Sequence, residues 1–337
     1  MFKKKFLPIL KVLFFLGLGI LLIWLVIKDL SEKDKKDILN AFVKANYFWV
    51  IVSIVLSLLS HLSRAIRWKL LLETMEYRPR LSNTFFAVMV GYMANYALPR
   101  LGEVSRCGIL RTYEKIPFER SFGTVIAERA IDLLCMLLLL TLTIIIQFDK
   151  IYLLVDSKIR APLSLKFQGN HTLLYVLGTG VFMGLILLYL FRKKVAVIFT
   201  GKIGKVVLGF LEGLKSVKDI KRPWLFITHS VFIWFMYFLA MYVCFFSFKE
   251  TGELGLNAAL SVLVMGTFGI IFTPGGIGAY QAIVTETLTS AYGVVFSVAY
   301  AFSWIVWTSQ FITIILTGLI SLVLLPLVNK IQKKASL

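Results

Sequence analysis

The sequence predicts an all-α polytopic membrane protein with six full spans and two oppositely oriented re-entrant helical hairpins. Of the 337 residues, 58% are hydrophobic and only 16% are charged, and the mean hydropathy is +0.83. Soluble domains are less apolar than this. The apolar residues also form runs long enough to cross a bilayer core, and two of these runs are broken by proline and glycine. We therefore expect a single integral membrane domain over residues 1–337.

The charge distribution favours lipid over nucleic acid as the partner. The net charge is +19, which by itself would be compatible with nucleic acid. However, Lys and Arg collect at the ends of apolar runs, as the positive-inside rule expects. Such a basic rim attracts anionic lipid headgroups. Membrane lipids with phosphate-containing headgroups are therefore the expected partners. A homo-oligomer or a separate lipid-modifying enzyme is a further expectation.

Six apolar runs are the predicted spans. The first follows a basic start that resembles a signal-peptide n-region, but it has no small-residue cleavage site, so we interpret it as a retained span. A mixed-charge surface helix is expected over 28–44, and an amphipathic segment on the cytoplasmic leaflet over 192–222. The spans are residues 6–27, 47–63, 121–148, 171–191, 223–248 and 294–328.

Residues 83–111 and 255–292 are predicted to form the two hairpins, which break near Pro99 and Pro274. Residues 83–98 make about 24 Å of helix at 1.5 Å per residue, less than a bilayer core. Each break is followed by glycine and then a polar residue. Related broken segments in opposite orientation favour an inverted repeat, and transporters place substrate at such breaks.

Charge counting predicts the orientation. With the N-terminus in the cytoplasm, the inner segments hold 23 Lys or Arg and the outer segments hold 10. Both termini are then cytoplasmic in a multi-pass protein of the cell (cytoplasmic or inner) membrane. The first hairpin enters from the cytoplasmic side and the second from the outer side.

The first break carries three charged residues at a spacing of three: Arg100, Glu103 and Arg106. They line one face if the helix resumes after Pro99. Since guanidinium groups match phosphate, a phosphate between Arg100 and Arg106 is one interpretation. A solvated helix end with an internal salt bridge is the alternative.

The third span contains Glu128, Arg129 and Asp132. Glu128 and Asp132 share a helix face, and Arg129 can pair with Asp132. Charges within a span mark functional sites by default, and here they could grip a zwitterionic or cationic headgroup. The alternative is that they lie near the membrane surface, where water is close.

Weaker signals come from the second break and from the end of the second span. Residues 273–278 offer backbone N–H groups before a helix, which attract anions, although tight packing or a simple turn explains the glycines equally well. Arg64 and Arg67, beside Trp68, are expected to mark a membrane interface, with lipid-phosphate contact as the other interpretation.

Other chemistries lack their motifs. The three cysteines are odd in number and lie among apolar residues, and the three histidines are widely separated, so we expect neither disulfides nor a metal site. No Gly-x-Ser-x-Gly or Walker A sequence occurs. No cofactor is expected.

Four motifs in order resemble the lysylphosphatidylglycerol synthase transmembrane-region family, also grouped as UPF0104 or YbhN-like proteins. They are residues 64–68 (RAIRW), 98–106 (LPRLGEVSR), 128–132 (ERAID) and 274–278 (PGGIG). The resemblance implies a flippase-like domain, which in bifunctional members translocates aminoacylated phosphatidylglycerol and precedes a soluble aminoacyltransferase domain. This chain ends at Leu337, so we expect a transporter and not a synthase. Gln281 stands where the family usually has an acid, which puts the headgroup preference in doubt.

The sequence-based hypothesis is a flippase-like transporter of an anionic or zwitterionic phospholipid, aminoacylated in some relatives, or of a polyprenyl-linked lipid. The alternatives are a membrane-embedded transferase that uses a polyprenyl-phosphate sugar, with Glu103 and Asp132 as its acid–base pair, and a non-catalytic envelope scaffold. No catalytic residue is assigned for transport. The candidate substrate-binding residues are Arg64, Arg67, Arg100, Glu103, Arg106, Glu128, Arg129, Asp132, Pro274, Gly275, Gly276, Gly278 and Gln281.

Overall fold

A computed structural model describes residues 30–98, 100–148 and 220–335, together with five single residues between positions 17 and 28. Every regular element in these ranges is helical, as the predicted fold class requires. Most of the predicted span 6–27, all of the span 171–191, the segment 192–219 and Pro99 lie outside the described residues.

The helices of the described ranges follow one another with short connections. They are α1 Glu32–Lys44, α2 Tyr47–Glu73, α3 Leu81–Ala97, α4 Leu101–Glu114, α5 Phe118–Ile146, α6 Pro223–Phe245, α7 Lys249–Gly252, α8 Leu256–Phe272, α9 Ala279–Glu286 and α10 Phe296–Ala335. A 3₁₀ turn, Pro274–Gly276, separates α8 from α9, and a π-helical turn, Thr287–Ala291, follows α9.

Four helices in the described ranges, α2, α5, α6 and α10, are long and apolar enough to cross a membrane. They correspond to the predicted spans 47–63, 121–148, 223–248 and 294–328. Helix α2 extends ten residues beyond its predicted end at 63, through the basic motif to Glu73. Because carboxylates of α5 neutralise the arginines of this motif, the charged stretch continues the helix instead of ending it.

Helix α1 lies before the first long span of the described region and has a capping box at its start. The Ser31 hydroxyl accepts the backbone N–H of Asp34 at 3.2 Å, and the Asp34 carboxylate accepts the backbone N–H of Ser31 at 3.0 Å. The hydrogen bonds from Ser31 lower the pKa of Asp34. The helix packs against α10, so the predicted surface helix is tied to the bundle.

Helices α3 and α4 form one broken pair, and they pack closely because both carry glycine at the contact. A Cβ at Gly102 would lie 2.1 Å from the Gly91 carbonyl oxygen, and a Cβ at Gly91 would lie 2.5 Å from Cγ of Arg106. Small residues allow the same close backbone approach between helices in membranes.

Helices α8 and α9 form the second broken pair in the same manner. A Cβ at Gly269 would lie 2.6 Å from Cα of Tyr280, and one at Gly266 would lie 2.7 Å from the Tyr280 ring. In each pair the first helix has 17 residues. The pairs coincide with the predicted segments 83–111 and 255–292.

The two breaks meet. Gly275, in the 3₁₀ turn, has φ of +67°, and a Cβ there would lie 2.4 Å from the ring of Tyr96, one residue before the end of α3. The Gly275 carbonyl accepts the indole N–H of Trp307 of α10 at 2.7 Å. Helix α10 therefore supports the point where the second break touches the first.

Candidate functional site

A buried ionic cluster joins α2 to α5. Glu128 accepts a hydrogen bond from Arg64 at 2.9 Å, and Arg64 also pairs with Asp132. Arg67 reaches Asp132 at 2.7 Å and Glu128 at 3.7 Å. Glu128 and Arg67 are fully buried, and Arg64 is 3% exposed. Glu128 and Asp132 lie four residues apart on α5, and Arg64 and Arg67 lie three apart on α2, so each pair shares one helix face.

Helix α4 adds Arg106 to this cluster. Its two terminal nitrogens donate to the two Glu128 oxygens at 3.3 and 2.8 Å, a bidentate arrangement. Its guanidinium also lies 4.1 Å from the Trp68 ring centroid, and the Trp68 indole N–H donates to Thr124 at 2.9 Å. Glu128 thus forms ion pairs with three arginines and links α2, α4 and α5.

A second ion pair lies beside the cluster. Arg129 of α5 contacts Glu103 of α4 at 3.1 Å, with side chains 40% and 19% exposed. Glu103 Oε2 and Arg129 Nε have no hydrogen-bond partner among the described residues. This pair is therefore incompletely satisfied at an accessible edge.

A cavity of about 700 Å³ opens next to these ion pairs. Its polar end is formed by Arg64, Arg129 and Asp132, and it extends to both breaks, at Tyr96 and Gly275. Its remaining wall is largely apolar. The apolar lining residues include Leu133, Met136, Leu263, Ile270, Ile271, Phe272, Val306 and Ile314. A ligand with a charged head and an apolar tail matches this lining.

The predicted site residues of the first break and of α5 separate into different environments. Arg100 is exposed, with φ of +68° at the start of α4, whereas Arg106 is buried against Glu128. The phosphate position between these two arginines stays a prediction, and in this structure the Arg106 guanidinium is occupied by Glu128. Arg129 was expected to pair with Asp132, but it pairs with Glu103. Asp132 instead pairs with Arg64 and Arg67 of α2.

Arg64 and Arg67 also differ from expectation. They were predicted to mark a membrane interface, but both are buried among helices. Polar residues recur on the same face of α2 as Arg64, and with Arg64 they line the cavity: Ser53, Ser57 and His61. Their spacings of four, four and three residues are helical. This polar stripe inside an apolar run is the sequence signal that would have identified α2 as a helix that lines the cavity.

The second break is largely closed by its own hydrogen bonds. The Gly276 N–H donates to the Thr273 carbonyl at 2.8 Å, and the Gly278 N–H donates to the Gln281 side chain at 2.8 Å. The predicted anion site on the N–H groups of 275–278 is therefore not available at Gly276 and Gly278. Among the side chains of this motif that the structure describes, Thr273 and Gly275 line the cavity. The backbone of Pro274 lies in the turn between them.

Both breaks use a side-chain amide in the same role. Asn95 accepts the Gly102 N–H at 2.7 Å, as Gln281 accepts that of Gly278. Gln281 is 1% exposed, and its amide nitrogen has no partner among the described residues. Gln281 therefore shapes the backbone beside the cavity and does not line the cavity itself.

Several cavity residues were not predicted. They are mainly aromatic and lie on α2, α3, α6, α9 and α10. The residues are His61, Tyr92, Asn95, Tyr96, Trp234, Tyr237, Tyr280, Trp307 and Gln310. The sequence contains many other aromatic residues, and only the packing of these five helices shows which of them line the cavity.

Comparison with known proteins is consistent with this architecture. The family model described as the lysylphosphatidylglycerol synthase TM region matches residues 9–318. The chain belongs to this family. Membership of the lysylphosphatidylglycerol synthase TM-region family, with the four long apolar helices, makes the chain a membrane-embedded helical protein.

Two archaeal relatives are described as UPF0104 membrane proteins. The one from Methanocaldococcus jannaschii is 30% identical over 98 residues, which cover 28% of this chain and 29% of the relative. The one from Methanothermobacter thermautotrophicus is 24% identical over 264 residues, covering 73% and 77%. No solved structure matches the chain.

Proposed function

We propose that the protein is a lipid translocator that holds an anionic or zwitterionic phospholipid, or a polyprenyl-linked lipid, in this cavity while its headgroup crosses the cytoplasmic membrane. The observation that carries the proposal is the single cavity that combines arginine and carboxylate groups, an apolar wall and both helix breaks. The membrane family described above, whose name refers to a lipid synthase, supports it.

The proposed placement in the membrane has six full spans and two re-entrant pairs, α3–α4 and α8–α9. Helices of 17 and 14 residues measure about 26 and 21 Å, less than the roughly 30 Å hydrocarbon core. The charge bias puts α3–α4 on the cytoplasmic side and α8–α9 on the outer side, with both termini in the cytoplasm. The contact between Tyr96 and Gly275 then lies within the membrane, where transporters with broken helices bind substrate.

Met136→Trp tests the cavity as the transport site. The purified protein is reconstituted in phosphatidylcholine liposomes that contain fluorescent phospholipids, and the fraction bleached from outside by dithionite is followed. Met136 lines the cavity, so indole should obstruct it and slow translocation. Leu138→Trp is the matched control, since Leu138 is 70% exposed on the same helix and should retain the wild-type rate.

Three outcomes separate the interpretations. Equal rates for wild type and Met136→Trp, with measurable transport, would remove the cavity from the mechanism. Transport of no lipid would contradict the translocator proposal itself. Turnover of a labelled polyprenyl-phosphate sugar by the same preparation would support the transferase alternative, in which Glu103 and Asp132 act as acid and base.

A further inference from the structure

The ionic groups beside the cavity carry one excess positive charge. The buried cluster contains three arginines and two carboxylates, Arg64, Arg67, Arg106, Glu128 and Asp132, and the neighbouring Arg129–Glu103 pair is neutral. A buried charge without a counter-charge is strongly unfavourable. A bound group with one net negative charge would balance the site, whereas an added cation would increase the imbalance.

The unused donors of this set belong to side chains that line the cavity. Arg64 and Arg129 both line it, and the Nε–H of each has no partner among the described residues. The terminal nitrogens of the same two side chains are anchored on Asp132, Glu128 and Glu103. Their guanidinium groups are therefore held in place with one donor each left over, which suits a phosphodiester with two free oxygens.

A second group of unpartnered polar atoms lines the same cavity. Both ring nitrogens of His61, the indole N–H of Trp234 and the hydroxyl of Tyr280 are buried and unbonded among the described residues. His61 and Tyr280 are only 3% and 5% exposed. A buried polar group without a partner is destabilising, so these side chains favour a ligand that carries matching polar groups.

The positions of these atoms connect them to the arginines. The His61 ring centroid lies 4.8 Å from that of Tyr92, and the Arg64 guanidinium lies 5.9 Å from the same Tyr92 ring. His61 and Trp234 both contact the ring of Tyr237, at 6.2 and 6.0 Å. His61 and Trp234 therefore both lie beside Tyr237, and His61 is separated from Arg64 by the ring of Tyr92.

The hydrogen-bonding capacity of these groups favours hydroxyls in the ligand. Indole only donates, phenol donates and accepts, and neutral imidazole does one of each. Hydroxyls of a ligand can accept from the indole N–H and donate to the imidazole, whereas an ammonium group can only donate. An ammonium group would also leave the indole N–H unsatisfied and would add a charge to a site that already has an excess cation.

We propose that the cavity selects lipids whose headgroup is a monoanionic phosphodiester bearing free hydroxyls, such as a glycerol or sugar phosphate, over zwitterionic and aminoacylated headgroups. This inference rests on the proposed function, since it names the substrate class of the same site. The apolar wall at Ile270, Ile271 and Phe272, which are 50–62% exposed, provides for the lipid chain.

The test compares lipids with identical acyl chains and fluorophore in the proteoliposome assay. The probes are phosphatidylglycerol, phosphatidylethanolamine and lysyl-phosphatidylglycerol, and soluble glycerophosphoglycerol serves as competitor. Wild type should move phosphatidylglycerol at least about tenfold faster than either other lipid. A tenfold ratio is what the loss of one hydrogen bond to a charged group would produce. The soluble competitor should have little effect if the lipid chain contributes to binding, and strong inhibition would identify a headgroup site that needs no lipid.

Two variants address the two parts of the site. Arg129→Gln removes one positive charge and one of the two unused Nε–H donors beside the cavity, so the preference for phosphatidylglycerol over phosphatidylethanolamine should fall several-fold. Trp234→Phe keeps the ring but removes the indole N–H, so phosphatidylglycerol should be slowed more than phosphatidylethanolamine. The matched controls are Arg111→Gln and Trp224→Phe, both at exposed positions, which should behave as wild type.

The results distinguish this inference from the proposed function. Equal transport of all three lipids, or faster transport of lysyl-phosphatidylglycerol, would overturn the selectivity while leaving translocation intact. Transport of no lipid would overturn both. Should a variant fold poorly, binding of each lipid to wild type, measured by native mass spectrometry, gives the same ranking, and a preference for the aminoacylated lipid there would contradict the inference.

Discussion

At the residue scale, Glu128 is the centre of the buried charges. It accepts from Arg64 and from both terminal nitrogens of Arg106, and Arg67 lies 3.7 Å away. Its sequence position on a span made it a candidate for function, but its partners lie 64, 61 and 22 residues away. Its charge therefore has a structural role in addition to any contact with a ligand, because without it three buried cations would face one remaining acid of the cluster.

Glu128→Gln should destabilise the fold by roughly 3–5 kcal/mol, because it removes one partner of a buried ion-pair network and leaves the arginines unbalanced. The measurement is denaturant unfolding in detergent. Glu32→Gln is the matched control: Glu32 pairs with Lys35 at 2.7 Å on the surface, and its loss should leave stability unchanged. Similar stability of wild type and Glu128→Gln would show that the network does not hold α2, α4 and α5 together.

At the element scale, the two broken pairs share a design. Each packs its two helices through glycine, and each caps the second helix with a side-chain amide, Asn95 or Gln281. The inverted repeat stays a prediction, but these shared devices are what it would require at both breaks. The close backbone contact holds the two helices of each pair together beside the cavity.

Gly102→Ala should weaken the α3–α4 contact, because the added Cβ would lie 2.1 Å from a backbone oxygen of the neighbouring helix. We expect a loss of about 1–3 kcal/mol in the free energy of unfolding, typical of overpacking, and slower lipid transport. The control is Gly108→Ala on the same helix, where a Cβ would meet nothing within 4 Å. Alanine there should be neutral or stabilising by about 1 kcal/mol. Equal behaviour of the two variants would argue against a tight pair.

At the scale of the whole molecule, the long helices of the described ranges have a strongly apolar surface, and a cluster of charged groups lies between them. The long helices expose Ile, Leu, Phe and Val along their lengths, whereas three arginines and a glutamate are almost fully buried. This arrangement inverts that of a soluble protein and suits a bilayer. The same polar interior that holds the helices together borders the cavity, so stability and substrate binding depend on overlapping residues.

The proposed orientation predicts that the ends of the bundle lie on opposite sides of the membrane. In a variant without the three native cysteines, Lys115→Cys should react only with a maleimide that reaches the cytoplasm, and Glu250→Cys only with one outside. The reason is the excess of Lys and Arg in the segments on the Lys115 side. Labelling of both positions from the same side would contradict the topology of the spans and of both hairpins.

Sequence patterning determined the helical membrane class, the family, four spans of the described region and the positions of both breaks. These features follow from local properties: run length, the absent proline N–H and glycine conformation. It also singled out Glu128 and Asp132 as unusual within an apolar run, since a charge there is costly whatever the fold.

Only the tertiary structure decided which charges meet. Arg100 and Arg106 look equivalent in sequence, yet one is exposed and the other is bound to Glu128 on α5. The structure also decided that Arg129 pairs with Glu103 of α4 and not with a residue of its own helix. It likewise decided which aromatic residues line the cavity. Electrostatic pairing acts through space between helices far apart in the chain, so no local pattern specifies its partners.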